Sequence, residues 1–89
     1  MERVHIIVLG HVRGVLFRYH TRKRALGLGL KGFARNLENG NVEIVAEGPK
    51  ERILDLIEFC KRGPENAVVD DLTVKYEDVK NVFESFESY

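Results

Sequence analysis

The 89-residue chain is predicted to fold as an α/β (α+β) sandwich of order βαββαβ with a terminal strand, two helices packing on one face of an antiparallel sheet. Three observations carry that expectation. A β-branched run, Val4 to Leu9, gives way to apolar residues at helical spacing. The dipeptide Asn39-Gly40, the strongest short hairpin signal, separates two segments of strand character. A second helical stripe then precedes another alternating strand.

Val4 to Leu9 suits a central strand. Phe17, Thr21, Ala25 and Leu28 follow at i, i+4, i+8 and i+11, one face of a helix that Gly27 and Gly29 end. Lys31 to Glu38 and Asn41 to Glu47 are the hairpin arms. On the second arm Val42, Ile44 and Ala46 alternate with Asn41, Glu43 and Glu47, so one face should be buried and the other wet. Gly48-Pro49 closes that strand and sets proline at a helix start, where its missing N–H costs nothing. Ile53, Leu56, Ile57 and Cys60 form the second helical stripe, and Gly63-Pro64 stops it. Ala67 to Glu77 reads as a strand with Leu72, Val74 and Tyr76 on one face; Phe83 to Tyr89 reads as a short edge strand.

A chain of this length has room for one core, so residues 1–89 are expected to be a single domain. No apolar run is long enough to span a bilayer, and the start, Met-Glu-Arg-Val-His, lacks a signal-peptide pattern. Cys60 has no cysteine partner, and a reducing, cytoplasmic compartment is expected. Net charge is zero, yet residues 1–36 carry eight Lys/Arg against Glu2 alone, and residues 37–89 six Lys/Arg against thirteen Asp/Glu. Either the basic half steers an anionic ligand, or the folded faces intermix these charges.

The basic half contains Gly10-His-Val-Arg-Gly-Val-Leu-Phe-Arg18, a turn between strand and helix. Unpaired N–H groups, a helix N-terminus and a guanidinium fork meet there, a combination that attracts a phosphate-like dianion. Several phosphate chemistries are excluded. Val12 stands where a covalent phosphatase loop needs its cysteine, and Gly14 is not followed by a Walker lysine. Gly27-Leu-Gly29-Leu-Lys-Gly32 spells a dinucleotide fingerprint in the wrong context, after a helix and before a strand. His5, His11 and His20 share no spacing that converges on a metal, so no metal and no cofactor are expected. Lys31-Gly32-Phe33-Ala34 imitates the start of an RNA-recognition strand, then fails at Arg35 and Asn36.

Gly10 to Arg18 resembles the first acylphosphatase signature, G-x-V-Q-G-V-x-F-R. Gly32-Phe33-Ala-Arg-Asn36-Leu-Glu-Asn-Gly40-Asn-Val42, continuing to Gly48, resembles the second, G-[aromatic]-x-x-N-x-x-x-G-x-V-x-x-x-x-x-G, and Asn36 stands 18 positions after Arg18. Arg13 replaces the usual glutamine, Leu16 fills the variable slot, and Phe33 stands where Trp or Tyr is frequent. The resemblance implies a ferredoxin-like sandwich and metal-independent hydrolysis of the carboxyl–phosphate bond of small acyl phosphates. It implies a phosphate cradle of Arg13, Gly14, Val15, Leu16 and Phe17, with Arg18 gripping the phosphoryl group and Asn36 positioning a water. Taken singly, Arg18 is an ordinary solvated helix arginine and Asn36 a polar strand end; their joint occurrence in two long signatures singles them out. The expected partners are a small acyl phosphate and, in competition, inorganic phosphate or sulfate; no membrane and no nucleic acid are expected, and a monomer is. The alternative is a non-catalytic anion- or RNA-binding module on the same fold.

Overall fold

In the computed structural model, which describes residues 1–12 (of His11 the backbone), 16–65 and 67–89, the chain forms β1 (Glu2–His11), α1 (Phe17–Gly27), β2 (Lys31–Asn36), β3 (Val42–Gly48), α2 (Lys50–Arg62), β4 (Val68–Glu77) and β5 (Phe86–Ser88). The strands make one sheet in the order β4-β1-β3-β2-β5. Val4, Ile6 and Val8 of β1 meet Val42, Ile44 and Ala46 of β3 on one face. Both helices cover that face. Phe17, Thr21 and Ala25 descend from α1, and Ile53, Leu56, Ile57 and Cys60 from α2, as their spacing predicts.

The α1 stop is a Schellman motif. Leu30 N–H bonds Ala25 C=O at 2.9 Å, Gly29 N–H bonds Leu26 C=O at 3.1 Å, and Gly29 takes the left-handed position at φ 71°. The apparent dinucleotide fingerprint is thus a helix stop followed by a strand entry.

Three details differ from the sequence expectation. The hairpin is not closed by a two-residue turn. Leu37 N–H bonds Asn41 C=O at 2.8 Å across a loop of residues 38–40, with the left-handed position on Gly40. Asn39 instead uses its side chain, accepting the Asn41 N–H at 3.0 Å.

The second difference concerns the sheet, which is mixed rather than antiparallel. β1 pairs antiparallel with β3 and β4, and β2 with β3, but β5 lies parallel to β2, with Gly32 opposite Phe86 and Ala34 opposite Ser88. Residues 78–85 carry the chain from β4 at one edge, across the helix-free face, to β5 at the other. This crossing enters β5 from the end where β2 begins.

That crossing accounts for the third difference. The alternate face of β3 is not wet: Val45 and Glu47 are each 4% exposed. Lys80 and Asn81 donate their main-chain N–H groups to Glu47 at 2.9 and 3.1 Å, while Arg3 reaches it at 2.9 Å. Phe83 then sets its ring edge-on to Phe33, 5.9 Å between centroids, with the Arg3 guanidinium 5.4 Å from its centre.

Candidate active site

β1, β2 and β5 all run toward the same end of the sheet, where α1 begins. A cleft of about 190 Å³ opens there, lined among the described residues by Val12, Leu16, Phe17, Arg18, Tyr19, Asn36 and Ser88. Asn36 is not on a strand beside β1, as a direct pairing would require; β3 intervenes. The register still aligns them, because Val42 faces Asn36 on one side and Val8 on the other. Ala34 and Asn36 follow each other on the helix side of β2, which turns Asn36 toward the start of α1.

Among the described residues α1 starts without a side-chain cap. Leu16 precedes it at φ 57° with no side-chain cap, and the first turn holds no acidic residue. The helix ladder begins with His20 N–H on Leu16 C=O at 3.0 Å, so the N–H groups of Phe17, Arg18 and Tyr19 precede the first regular bond. Such an end favours an anion. The Phe17 ring is 1% exposed and belongs to the core, so this residue can offer an anion only its main-chain N–H. Arg13, Gly14 and Val15 lie outside the described residues.

Arg18 is held from the C-terminal strand, its Nη1 donating to the main-chain oxygen of Tyr89. Tyr89 is held in turn by the second signature: its N–H bonds Ala34 C=O at 2.9 Å, and its ring packs on Phe33 at 5.7 Å. An aromatic residue at 33 therefore braces the strand end that orients Arg18. Both signatures open on glycine because backbone passes too close for a Cβ: at Gly10 it would lie 2.1 Å from the Val68 carbonyl oxygen, at Gly32 1.8 Å from that of Val45. Tyr19, Ser88 and the Tyr89 main chain escaped the sequence reading, since only the parallel placement of β5 brings Ser88 and Tyr89 to this end.

Elsewhere the basic N-terminal half meets the acidic C-terminal half. Arg3 bonds Glu47 and Glu77, at 2.9 and 3.1 Å, and Arg35 bonds Glu43. His5 shares Glu43 at 2.7 Å, a half-buried strand histidine. These carboxylates occupy the helix-free face, where an RNA-recognition sheet needs cations and stacking rings. Burial pushes the Cys60 thiol up to about 12, so it is a core residue and no nucleophile. Among the described residues no three His, Cys, Asp or Glu side chains cluster as a metal site, and no helix is long and apolar enough to cross a membrane.

The Acylphosphatase family model matches residues 4–88. An acylphosphatase of Syntrophus aciditrophicus is 46% identical over 86 residues, 97% of this chain and 90% of the relative. One of Vibrio parahaemolyticus is 54% identical over 67 residues, 75% and 74% of the two chains. The crystal structure of acylphosphatase from Bacillus subtilis superposes with a TM-score of 0.96 at 34% identity, covering 100% of this chain and 99% of that one. Two signatures converging on one cleft, and a match over nearly the full length, lead to one conclusion: the chain belongs to the acylphosphatase family and is a hydrolase of acyl phosphates.

Proposed function

We propose that residues 1–89 act as one domain that hydrolyses small acyl phosphates to carboxylate and inorganic phosphate without a metal ion. The observation that carries this reading is the meeting of Arg18 and Asn36 on a single cleft at the uncapped start of α1. The leaving carboxylate has a conjugate acid of pKa about 4 to 5, so it departs without a general acid. The protein's work is to hold the phosphoryl group, stabilise its charge and aim a water in line.

Arg18 grips two phosphoryl oxygens at once. The N–H groups from Arg13 to Phe17 cradle the oxygens at the positive end of α1. The Asn36 carboxamide, which both donates and accepts, positions one water, whose proton passes to the substrate phosphate. Inorganic phosphate and sulfate compete for the same cradle. A cleft that reads mainly the phosphoryl group accepts more than one small acyl chain.

The test is phosphate release from acetyl or benzoyl phosphate in the presence of a chelator. The expected result is turnover that phosphate inhibits competitively and that Arg18→Ala or Asn36→Ala reduces by about 10²–10³. Absence of turnover, or turnover indifferent to both variants, overturns this reading.

A further inference from the structure

β5 is three residues long, pairs parallel with β2 and closes the sheet, so among the described residues no strand lies on its outer side. A strand this short gains little from its own ladder. Its inner side is bonded to β2: Ser85 C=O accepts the Gly32 N–H at 3.0 Å, and the Tyr89 N–H reaches Ala34 C=O at 2.9 Å. Successive carbonyls along a strand point to opposite sides, so that of Phe86 points to the outer edge. There it accepts the Nε–H of Arg22 at 3.1 Å, in a partly buried bond. Arg22 lies one helical turn after Arg18, whose Nη1 donates to the Tyr89 main-chain oxygen. α1 and β5 run in opposite directions, so the two arginines meet the strand in order, at its start and just past its end. Among the described residues they are the side chains that donate to this stretch of main chain.

We propose, resting on the acyl phosphate reading above, that Arg22 is a positioning residue for the phosphoryl site. It fixes β5 to α1, so that the Tyr89 main chain stays where it aims the Arg18 guanidinium into the cleft. Arg18 and Ser88 line that cleft and Arg22 does not, so it acts through the strand. Phe86 makes the coupling stiff. Its ring is fully buried in the core, and a bond to its carbonyl sets the strand's height against the helix. Residues 87–89 are exposed, which makes Phe86 the last buried residue before the contact with Arg18. The charge of Arg22 is a separate contribution to anion binding, and exposed Lys23 beside it makes the same one.

A double-mutant cycle tests the proposal, read by kcat/KM, by phosphate inhibition and by amide exchange at Tyr89. Arg22→Met keeps the aliphatic stem and the helix propensity while removing the guanidinium. It should lower kcat/KM about tenfold and raise the inhibition constant of phosphate in step. Exchange of the Tyr89 N–H should speed up about tenfold, with that of Ile44 in the core unchanged. In the Arg18→Ala background the same substitution should cost less than about twofold, since no guanidinium is left to aim. Lys23→Gln removes a neighbouring charge and measures the field alone. In about 1 M salt, where the screening length is about 3 Å, its effect should vanish while that of Arg22→Met persists.

Equal losses with and without Arg18 overturn the proposal, as does a loss that disappears in salt or Tyr89 exchange that Arg22→Met leaves unaltered. Turnover that needs Arg18 and ignores Arg22 overturns the positioning role alone. Turnover indifferent to Arg18 overturns the acyl phosphate reading, and this role with it.

Discussion

Arg3 and Arg18 stand at opposite ends of the same sheet and do opposite things. Arg3, at the start of β1, is 8% exposed and lies between the Glu47 and Glu77 carboxylates with Phe83 against its guanidinium. Arg18, beyond the far end of β1, is held by the main-chain oxygen of Tyr89 and borders a cleft. A guanidinium surrounded by carboxylates has its donors spent on the fold. On the proposed reading the Arg18 guanidinium, bordering the cleft at the start of α1, is available to an anion that arrives from outside. On that reading the same side chain is a staple at one end and a grip at the other.

One of the two largest expected effects breaks the staple. Arg3→Ala leaves Glu47 buried beside two N–H groups but without its cation, and should cost about 3 kcal/mol of stability in denaturant titration. Rate per folded molecule should be unchanged. Breaking the grip gives the reverse split: Arg18→Ala should lose about 10²–10³ in kcat/KM with Tm within about 2 °C of wild type. A variant that loses both, or neither, dissolves the contrast.

A smaller effect sharpens it. Phe33→Leu removes the ring under Tyr89 while keeping an apolar side chain, so Arg18 loses bracing but not its charge. The expected loss is about tenfold in kcat/KM, near 1.4 kcal/mol, with phosphate inhibition weakened in step. If phosphate still binds as before, Tyr89 is not what orients the guanidinium.

The smallest effect at neutral pH is an acid limb. Burial opposes ionisation of Glu47, but the Lys80 N–H, the Arg3 guanidinium and the Asn81 N–H outweigh it and hold the carboxyl below its usual 4.5. At Glu43, burial is likewise outweighed, by His5 and Arg35. Both folded-state values are depressed, so the stability they contribute is full above about pH 4.5. It is lost as pH falls through the lower, folded values. Glu47→Gln should flatten that acid limb in pH-dependent thermal melts, leaving the slope from Glu43 and Glu77. An unchanged limb would remove Glu47 from the staple.

Much of this was legible in the residues. The faces of α1 and α2 follow their apolar spacing, Phe17-Thr21-Ala25 and Ile53-Leu56-Ile57-Cys60, because helical period is local. The hairpin followed from Asn39-Gly40, although the loop is one residue longer than that dipeptide announces. Arg18 and Asn36 stood out because each lies in a long signature. Val45 and Glu47 did not show as buried, since alternation cannot report what a segment 33 or more residues later lays over a strand. Ser88 and Tyr89 did not show as site residues, since nothing local sets the direction of a three-residue strand.

The sequence by itself determined the elements, the faces they bury and the residue types gathered at the Gly10–Arg18 turn. Period, turn chemistry and the demand for glycine act over a few neighbouring residues. Tertiary structure decided that β3 would separate β1 from β2, that residues 78–85 would cover the helix-free face, and that β5 would run parallel to β2. These choices rest on pairings between segments far apart in the chain, whose energy exists only once the sheet order is formed. They place the Tyr89 main chain beside Arg18.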